Sequence, residues 1–378
     1  MGGIEQALSH TAVFRKLDLA VLKATASAWE RRNVRPGQVL WRDGTAATEL
    51  AVVESGELVV ETWEKEVGRV RTGQLVGEGA AFTPGEPRTA TVRAESQASL
   101  LVLSTQALAS LRSDGSPLYD FLLDRALDSL AARVGETGTR IARMSAGHES
   151  APTRKDSGGS AFKTLWTRAK AIASGGAPPV NEALLFLPGM DLASDAVVAR
   201  IASALQPRLV PAGQALFLEG DAGDEVYLVA DGVVDVLRNT GRGRAEKLAS
   251  LHTGSLFGTG ALLLGKRRNA SCVADHEAWI YVLDRAGHDK LSGEAGRVWR
   301  EVLMAALGFQ IRKADGMIAR LQGQLDQRTE DDFRVLNQAA GTIEAFTIED
   351  DDDDSEELFS DATPDSVIDD DNDDFLDG

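Results

Sequence analysis

The sequence is short of the features that define several large classes of protein. Its 378 residues include one cysteine, Cys272, so an internal disulfide framework is excluded and a reducing compartment is indicated. No apolar run reaches the roughly 18 residues of a membrane-spanning helix. The first residues lack a basic region followed by an apolar segment, so no secretory signal is predicted. These absences predict a cytoplasmic protein without a transmembrane segment.

Catalytic and metal-binding patterns are missing as well. The five histidines, at positions 10, 148, 252, 276 and 288, have no Cys or His neighbours at the spacing that metal sites use. The sequence contains no Gly-x-Ser-x-Gly motif, kinase loop or nucleotide-triphosphate loop. We therefore expect a non-enzymatic protein that binds no metal.

Basic residues are not concentrated enough to indicate nucleic-acid binding. The net charge is −18, but residues 349–378 hold 16 of the 58 acidic residues and no Lys or Arg. The rest of the chain is nearly neutral, with 42 acidic and 40 basic residues. We therefore expect no nucleic acid as a partner. The C-terminal region is predicted to be an acidic, disordered tail because it is too charged to collapse.

Hydrophobic patterning predicts small β-structures enclosed by helices. Residues 4–33 place apolar side chains near helical spacing without an intervening proline, which predicts a helix. Between residues 39 and 103, short β-like segments alternate with glycines, as in a small antiparallel roll or barrel. The pattern returns to helix at 105–111 and 117–144. Residues 145–160 have the composition of a linker.

The first half of this pattern occurs twice. Three glycines recur 176 positions later and two more recur 181 positions later: Gly37, Gly44, Gly56, Gly73 and Gly77 correspond to Gly213, Gly220, Gly232, Gly254 and Gly258. A constant spacing with one insertion indicates a domain duplication. The predicted fold is mainly β with helices: two tandem, jelly-roll-like β-rolls, each flanked by helices. The predicted boundaries are 1–144 for the first domain, 145–179 for a linker with a short helix, 180–328 for the second domain and 329–378 for the tail.

The stretch from residue 75 to residue 92 has the chemistry of an anion site. Gly77, Glu78 and Gly79 form a turn into a short helix, whose free N–H groups can receive an anion. Arg88 can bind the same anion through two parallel hydrogen bonds. Ionised Glu78 only accepts hydrogen bonds, so it suits a sugar hydroxyl rather than a phosphate. An anionic group with a hydroxyl beside it describes a nucleotide.

Together with Thr89, these residues resemble the phosphate-binding cassette of cyclic nucleotide-binding domains, in particular those of the catabolite activator proteins. Val76 and Gly79 depart from the family's usual Phe and Leu. In that family the Glu binds the ribose 2′-hydroxyl and the Arg binds the cyclic phosphate, so the resemblance implies cAMP or cGMP as the ligand. Thr89 leans towards cGMP, although relatives with Ser or Thr there also bind cAMP. Thr137 and Thr139 are either purine contacts or solvent-facing residues.

The corresponding stretch of the second repeat keeps only part of the cassette. Gly258 and Arg268 match the family pattern, but Thr259 replaces the Glu and Asn269 stands at the position of the threonine. A threonine hydroxyl is shorter and neutral, so it bonds a ribose hydroxyl more weakly than a carboxylate does. The second site is predicted to bind weakly, to bind another anionic ligand, or to be structural only.

These patterns favour a cyclic nucleotide sensor or regulatory adaptor with a competent first site and a degenerate or altered second site. The alternative is a structural or assembly scaffold whose rolls bind no nucleotide and whose tail docks on a partner. A kinase regulatory subunit would need an inhibitory pseudosubstrate before the first roll. Residues 1–13 contain no Arg or Lys, which disfavours that role.

Three segments are candidates for contacts with partners. The basic amphipathic helix predicted at 161–173 suits a membrane surface, a partner groove or the second roll. Residues 295–328 form a predicted helix that either pairs with another subunit, giving a homodimer, or packs on its own roll. The tail alternates acidic and apolar residues, which is typical of a segment that docks on a basic partner, and it is otherwise a solubilising tail.

Overall fold

The computed structural model describes residues 3–83, 85–145, 176–239 and 245–344. Contacts divide the chain into two compact units, Met1–Asp326, which holds both rolls, and Gln327–Gly378. Within the described ranges, no helix has both the length and the apolar character that crossing a bilayer requires. The linker helix and the acidic segment from residue 349 lie outside the described residues, so the predictions made for them stay predictions.

The N-terminal segment differs from its prediction as one helix over residues 4–33. It forms α1 (Ile4–His10) and α2 (Leu19–Thr25), with short 3-10 turns at Ala12–Phe14 and Ala26–Ala28, and then the strand β1 (Trp29–Val34). The side chain of Asp18 accepts a hydrogen bond from the Ala20 amide and caps α2, so a new helix begins there. The prediction was wrong for β1, because pairing with a distant strand decides its conformation.

The first roll consists of two four-stranded antiparallel sheets, with strand orders β1-β8-β3-β6 and β2-β7-β4-β5. Its further strands are β2 (Val39–Trp41), β3 (Glu49–Ser55), β4 (Glu57–Thr62), β5 (Lys65–Arg71), β6 (Leu75–Val76), β7 (Thr91–Ala94) and β8 (Ala98–Ser104). Successive side chains of a strand face opposite sides. Ala51 and Val53 therefore pack between the two sheets, whereas Leu50 and Val52 pack against the helices.

The second roll repeats this topology, with strand orders β9-β16-β11-β14 and β10-β15-β12-β13. Its strands are β9 (Gln206–Val210), β10 (Ala215–Phe217), β11 (Glu225–Asp231), β12 (Val234–Asn239), β13 (Ala245–Leu251), β14 (Leu256–Phe257), β15 (Ser271–Ala274) and β16 (Ala278–Asp284). The insertion inferred from the glycine spacing falls between β12 and β13. The prediction of two tandem β-rolls flanked by helices is confirmed.

Helices connect and cover the two rolls. They are α3 (Glu78–Ala81), α4 (Thr105–Ser113), α5 (Pro117–Ser145), α6 (Val180–Leu184), α7 (Asp195–Ala202), α8 (Thr259–Leu264), α9 (Arg285–Lys290) and α10 (Gly293–Glu344), with a 3-10 turn at Met190–Leu192. The helix α10 continues past the predicted domain boundary at residue 328, so the residues up to Glu344 are helical rather than part of a disordered tail. No proline interrupts this stretch, and nothing in its sequence ends the helix at the predicted boundary.

The two long helices α5 and α10 lie side by side and run in parallel. Asp120 of α5 accepts hydrogen bonds from Arg297 at 3.0 Å and from Arg300 at 2.8 Å, and further along Arg133 donates to Asp315 at 2.6 Å. Apolar residues of both helices belong to one core cluster shared by the two rolls. The apolar face of α10 that suggested pairing with another subunit is therefore buried within the chain from Val298 to Ile318, and the homodimer stays a prediction.

Candidate functional site

The first cassette depends on the backbone of Gly77, which connects β6 to α3. Its φ of +79° lies in the left-handed region, which favours glycine. A Cβ at this position would lie 2.5 Å from Nη1 of Arg88 and 2.9 Å from the Trp41 ring. Gly79 is different, since a Cβ there would meet its nearest neighbour, Leu130, at 3.9 Å. The turn thus requires glycine at position 77 but not at position 79.

Arg88 is buried beneath this turn, with 4% of its surface exposed. Its Nη1 donates to the Gly77 carbonyl oxygen at 3.1 Å and its Nη2 to the Glu49 carbonyl oxygen at 2.5 Å. Its guanidinium carbon lies 3.9 Å from the centroid of the Trp41 ring. Burial lowers the pKa of Arg88 to about 10 against the opposing charges of Glu49 and Glu78, so the side chain stays cationic at neutral pH. Its Nε is buried and has no hydrogen-bond partner among the described residues.

Glu78 opens α3 and is 8% exposed. Its Oε1 accepts a hydrogen bond from Oγ of Ser129, on α5, at 3.0 Å. Burial raises the pKa of Glu78 above its ordinary value, although the Ser129 hydroxyl and the charges of Arg133 and Arg88 oppose this shift. Glu78 therefore presents a hydrogen-bond acceptor in a poorly hydrated environment, where a ligand hydroxyl can take the place of the Ser129 hydroxyl as the donor.

The predicted residues of the first cassette line one cavity of about 470 Å³: Gly77, Glu78, Gly79, Arg88 and Thr89. The helix α5 adds Ser129, Arg133 and Thr137, and α10 of the second repeat adds Ile311 and Arg312. The sequence interpretation had not identified the contribution of α10, because residues more than two hundred positions away give no local signal.

The two threonines considered as purine contacts separate in the structure. Thr137 is buried and lines the first cavity. Thr139, two residues further along α5, accepts a hydrogen bond from Nη2 of Arg238 in the second roll at 2.8 Å. Thr139 therefore connects the two repeats, while Thr137 faces the candidate site.

The second cassette holds its guanidinium against the equivalent carbonyl groups, but through one terminal nitrogen rather than two. Gly258 has a φ of +81°, and Nη1 of Arg268 donates to the carbonyl oxygens of Gly258 at 3.0 Å and Glu225 at 2.9 Å. The guanidinium carbon lies 4.2 Å from the centroid of the Phe217 ring. Phe217 follows Trp41 by the repeat spacing of 176 positions, and this recurrence is the sequence signal that could have identified both aromatic supports.

The second cassette differs in what surrounds the guanidinium. Thr259, at the position of the carboxylate, is buried. Asn269 is exposed, and its Nδ2 would lie 3.8 Å from a Cβ at Gly135 of α5. A Cβ at Gly223 would lie 2.3 Å from Nε of Arg268, so the backbone of that loop covers the Nε edge of the guanidinium. The first repeat has Ala47 at the corresponding position.

Comparison with known proteins places both rolls in one family. Residues 31–114 and 207–293 each match the family model described as cyclic nucleotide-binding domain. The chain therefore carries two domains of this family in tandem, and the resemblance of the first cassette is confirmed.

Individual relatives match parts of this sequence. The chain is 37% identical over 113 residues to the cyclic AMP receptor protein of Thermus thermophilus, covering 30% of this chain and 52% of that protein. It is 24% identical over 298 residues to a cAMP-dependent protein kinase regulatory subunit of Eremothecium gossypii, covering 79% of this chain and 52% of that protein. A structure of the regulatory domain of Toxoplasma gondii PKA with cAMP aligns with a TM-score of 0.29 and 20% identity, covering 78% of this chain and 93% of that one. The chain spans about half the length of the two curated relatives.

Proposed function

We propose that this chain is a non-enzymatic cyclic nucleotide sensor or regulatory adaptor, with cAMP or cGMP bound in the first cavity. The observation that carries the proposal is that Glu78 and Arg88, two buried groups of opposite charge, line the same cavity. An acceptor-only carboxylate and a cationic fork match a ribose hydroxyl and a phosphate. The name of the Thermus relative, a cyclic AMP receptor protein, supports this ligand class.

Binding would use groups that line the cavity, and the buried Nε of Arg88 would have to become accessible to the ligand. The cyclic phosphate would accept hydrogen bonds from Arg88 Nε and from the amides at the start of α3. The ribose hydroxyl would donate to Glu78 and replace Ser129. The base would then lie between α5 and α10, which both line the cavity. A ligand shifts a conformational equilibrium only through different affinities for the two states, so contact with both helices would couple binding to any state in which their separation differs.

The second site is proposed to be altered. Arg268 donates to the carbonyl groups equivalent to those that Arg88 contacts, but Thr259 gives no charged acceptor and the loop at Gly223 covers the Nε edge. A cyclic phosphate approaching Arg268 would have to displace this loop. We therefore expect one high-affinity nucleotide per chain rather than two.

Calorimetric titration of cAMP and cGMP tests the proposal. Arg88→Lys keeps the charge but loses the planar fork, so affinity should fall about tenfold or more. Arg268→Lys is the matched control in the second repeat and should leave the stoichiometry at one and the affinity within about threefold. An undiminished affinity in Arg88→Lys, or no binding by the unmodified chain, would overturn the proposal.

The second candidate function is a scaffold whose rolls bind no nucleotide. It is favoured by the fact that Arg88 and Arg268 each already donate to two backbone carbonyl groups and so support the fold without a ligand. In that case neither nucleotide would release heat, while Arg88→Lys would still lower the unfolding temperature.

Output through a protein partner is part of both proposals. The docking segment would be the acidic tail or the linker helix, in a cytoplasmic setting. Capture of partners by the full chain and by a version lacking residues 349–378 would test the tail. Equal capture by both versions would exclude it.

A further inference from the structure

Arg133 lines the first cavity together with Glu78. It is one helical turn after Ser129 on α5, and Thr137 follows it by another turn, so the three side chains share one face of the helix. All three line the cavity. Since Ser129 bonds Glu78, a ribose held at Glu78 would direct its base along this face towards Arg133.

The guanidinium of Arg133 is held from the opposite helix. Its Nη2 donates to Oδ2 of Asp315, on α10, at 2.6 Å. Asp315 is 1% exposed, whereas the Arg133 side chain is 31% exposed. Oδ1 of Asp315 is buried without a hydrogen-bond partner among the described residues. The carboxylate thus holds one end of the arginine fork, while the partly exposed side chain lines the cavity.

A fixed guanidinium distinguishes the two purines. Guanine presents two neighbouring acceptors, O6 and N7, which match two N–H donors of an arginine. Adenine replaces O6 by an amino group, whose hydrogens would meet the donors of the arginine. Prior fixation by Asp315 reduces the loss of side-chain entropy on binding.

We propose that Arg133 determines the base specificity of the first site and selects a guanine cyclic nucleotide, with Asp315 as its positioning residue. The inference rests on the proposed function, because the base is placed by the ribose at Glu78. It assigns a specificity role to an ion pair between the two repeats, outside the cassette itself.

The experiment compares cGMP and cAMP by calorimetric titration of the full chain. The unmodified protein should bind cGMP about tenfold or more tightly than cAMP. Arg133→Lys keeps the charge beside Glu78 but removes the fork, so it should reduce cGMP affinity about tenfold and leave cAMP affinity within about threefold. Asp315→Asn should reduce the preference for cGMP in the same direction by a smaller factor, because it acts through Arg133.

Arg300→Lys is the matched control. Arg300 also joins α10 to α5, through Asp120 and Asp124, but it does not line the cavity. It should leave both affinities unchanged and so separate base recognition from loosening of the helix pair. Unfolding temperatures without nucleotide would show whether each variant is folded.

The outcomes separate this inference from the function on which it rests. The specificity role of Arg133 is overturned if the unmodified protein prefers cAMP, or if the Arg133→Lys variant keeps the preference for cGMP. Nucleotide binding by the chain stands in both cases. Parallel losses for both nucleotides in Arg133→Lys and Arg300→Lys also overturn it, because they indicate a structural role. If the unmodified chain binds neither nucleotide, the proposed function fails first.

Discussion

The two cassettes of this chain share an arginine clamp, formed around Arg88 and Arg268, and differ in one acidic residue. In both repeats the guanidinium donates to the carbonyl groups of a left-handed glycine and of a glutamate on the neighbouring strand, over an aromatic ring. The first repeat adds the buried carboxylate of Glu78, and the second has Thr259 instead. The clamp is therefore part of the roll's architecture, whereas the carboxylate is a separate addition that suits a ligand.

The long helices connect each repeat to the other. The helix α5 follows the first roll, yet α8 of the second cassette packs against it and Thr139 bonds Arg238 of the second roll. The helix α10 follows the second roll, yet it lines the first cavity. Each cassette thus contacts the helix of the other repeat, which gives a change in one cassette a direct physical route to the other.

The largest expected effect tests whether the two clamps are equivalent. Gly77→Ala and Gly258→Ala each force a side chain into the left-handed region and against a guanidinium. We expect each to lower the free energy of unfolding by about 2–4 kcal/mol, from backbone strain and crowding together. Urea unfolding measures the loss.

The controls are the neighbouring glycines. Gly79→Ala and Gly260→Ala should cost about 1 kcal/mol or less, because neither has a close neighbour and alanine favours the helix. A large loss in Gly77→Ala beside a small one in Gly258→Ala would show that the second clamp is looser than its hydrogen bonds indicate.

Exchanging the residues at positions 78 and 259 is expected to have different effects in the two cassettes. Glu78→Thr should weaken nucleotide binding about 10- to 100-fold, the value of a hydrogen bond to a charged group. Thr259→Glu should create no second site, because the new carboxylate would be buried beside a covered guanidinium, and should cost about 1–3 kcal/mol of stability. Titration and urea unfolding of both variants check this. A gain of a second bound nucleotide in Thr259→Glu would contradict the proposed covering of Arg268.

Much of the fold was predictable because each glycine marks a local turn and the constant spacing between the two sets of glycines shows the duplication. Turns with positive φ recur at both copies of the repeat, so the duplication and the roll could be recognised together. Glu78 and Arg88 were predictable as a pair because they lie ten positions apart in one local motif. The strand Trp29–Val34 was not, since its conformation depends on pairing with a strand that lies seventy positions away.

The rest of the first site could not be read from the sequence. Ser129, Arg133 and Asp315 reach the cavity only because α5 and α10 pack in parallel, and the register of that packing depends on both rolls. Helical spacing predicted that the two helices exist, but it does not determine which faces meet. The continuation of α10 from residue 328 to Glu344 was not predicted.

The stability of the first cassette should depend on pH through Glu78, which has no acidic counterpart in the second cassette. Burial raises the pKa of Glu78 from its ordinary 4.5, so the folded state holds that proton more tightly than the unfolded state. Stability is therefore lost as the pH rises from about 4.5 through the raised folded pKa, by about 1.4 kcal/mol for each unit of elevation. Glu78→Gln lacks this loss and should unfold at a higher temperature than the unmodified protein at pH 8.

That difference should vanish near pH 4, where the carboxyl group is protonated in both states. Thermal unfolding of nucleotide-free protein across this range measures it. Thr259→Val is the matched change in the second repeat, and its effect should not vary with pH because no titrating group is removed. A constant difference between Glu78→Gln and the unmodified protein would contradict the shifted pKa.

The smallest expected effects separate two threonines that lie two positions apart on α5. Valine has nearly the shape of threonine without its hydroxyl, so each substitution removes hydrogen bonds with little change in packing. Thr139→Val removes the acceptor of Arg238, which still has Glu219 at 3.6 Å, so we expect a loss of only about 0.5–1 kcal/mol and unchanged nucleotide affinity. Thr137→Val should leave stability nearly unchanged and weaken nucleotide binding by about threefold, because this residue lines the cavity. Urea unfolding and nucleotide titration of both variants measure these effects. If Thr139→Val lowers nucleotide affinity as much as Thr137→Val does, the contact between α5 and the second roll is part of the first binding site. The two repeats then cannot be treated as separate domains.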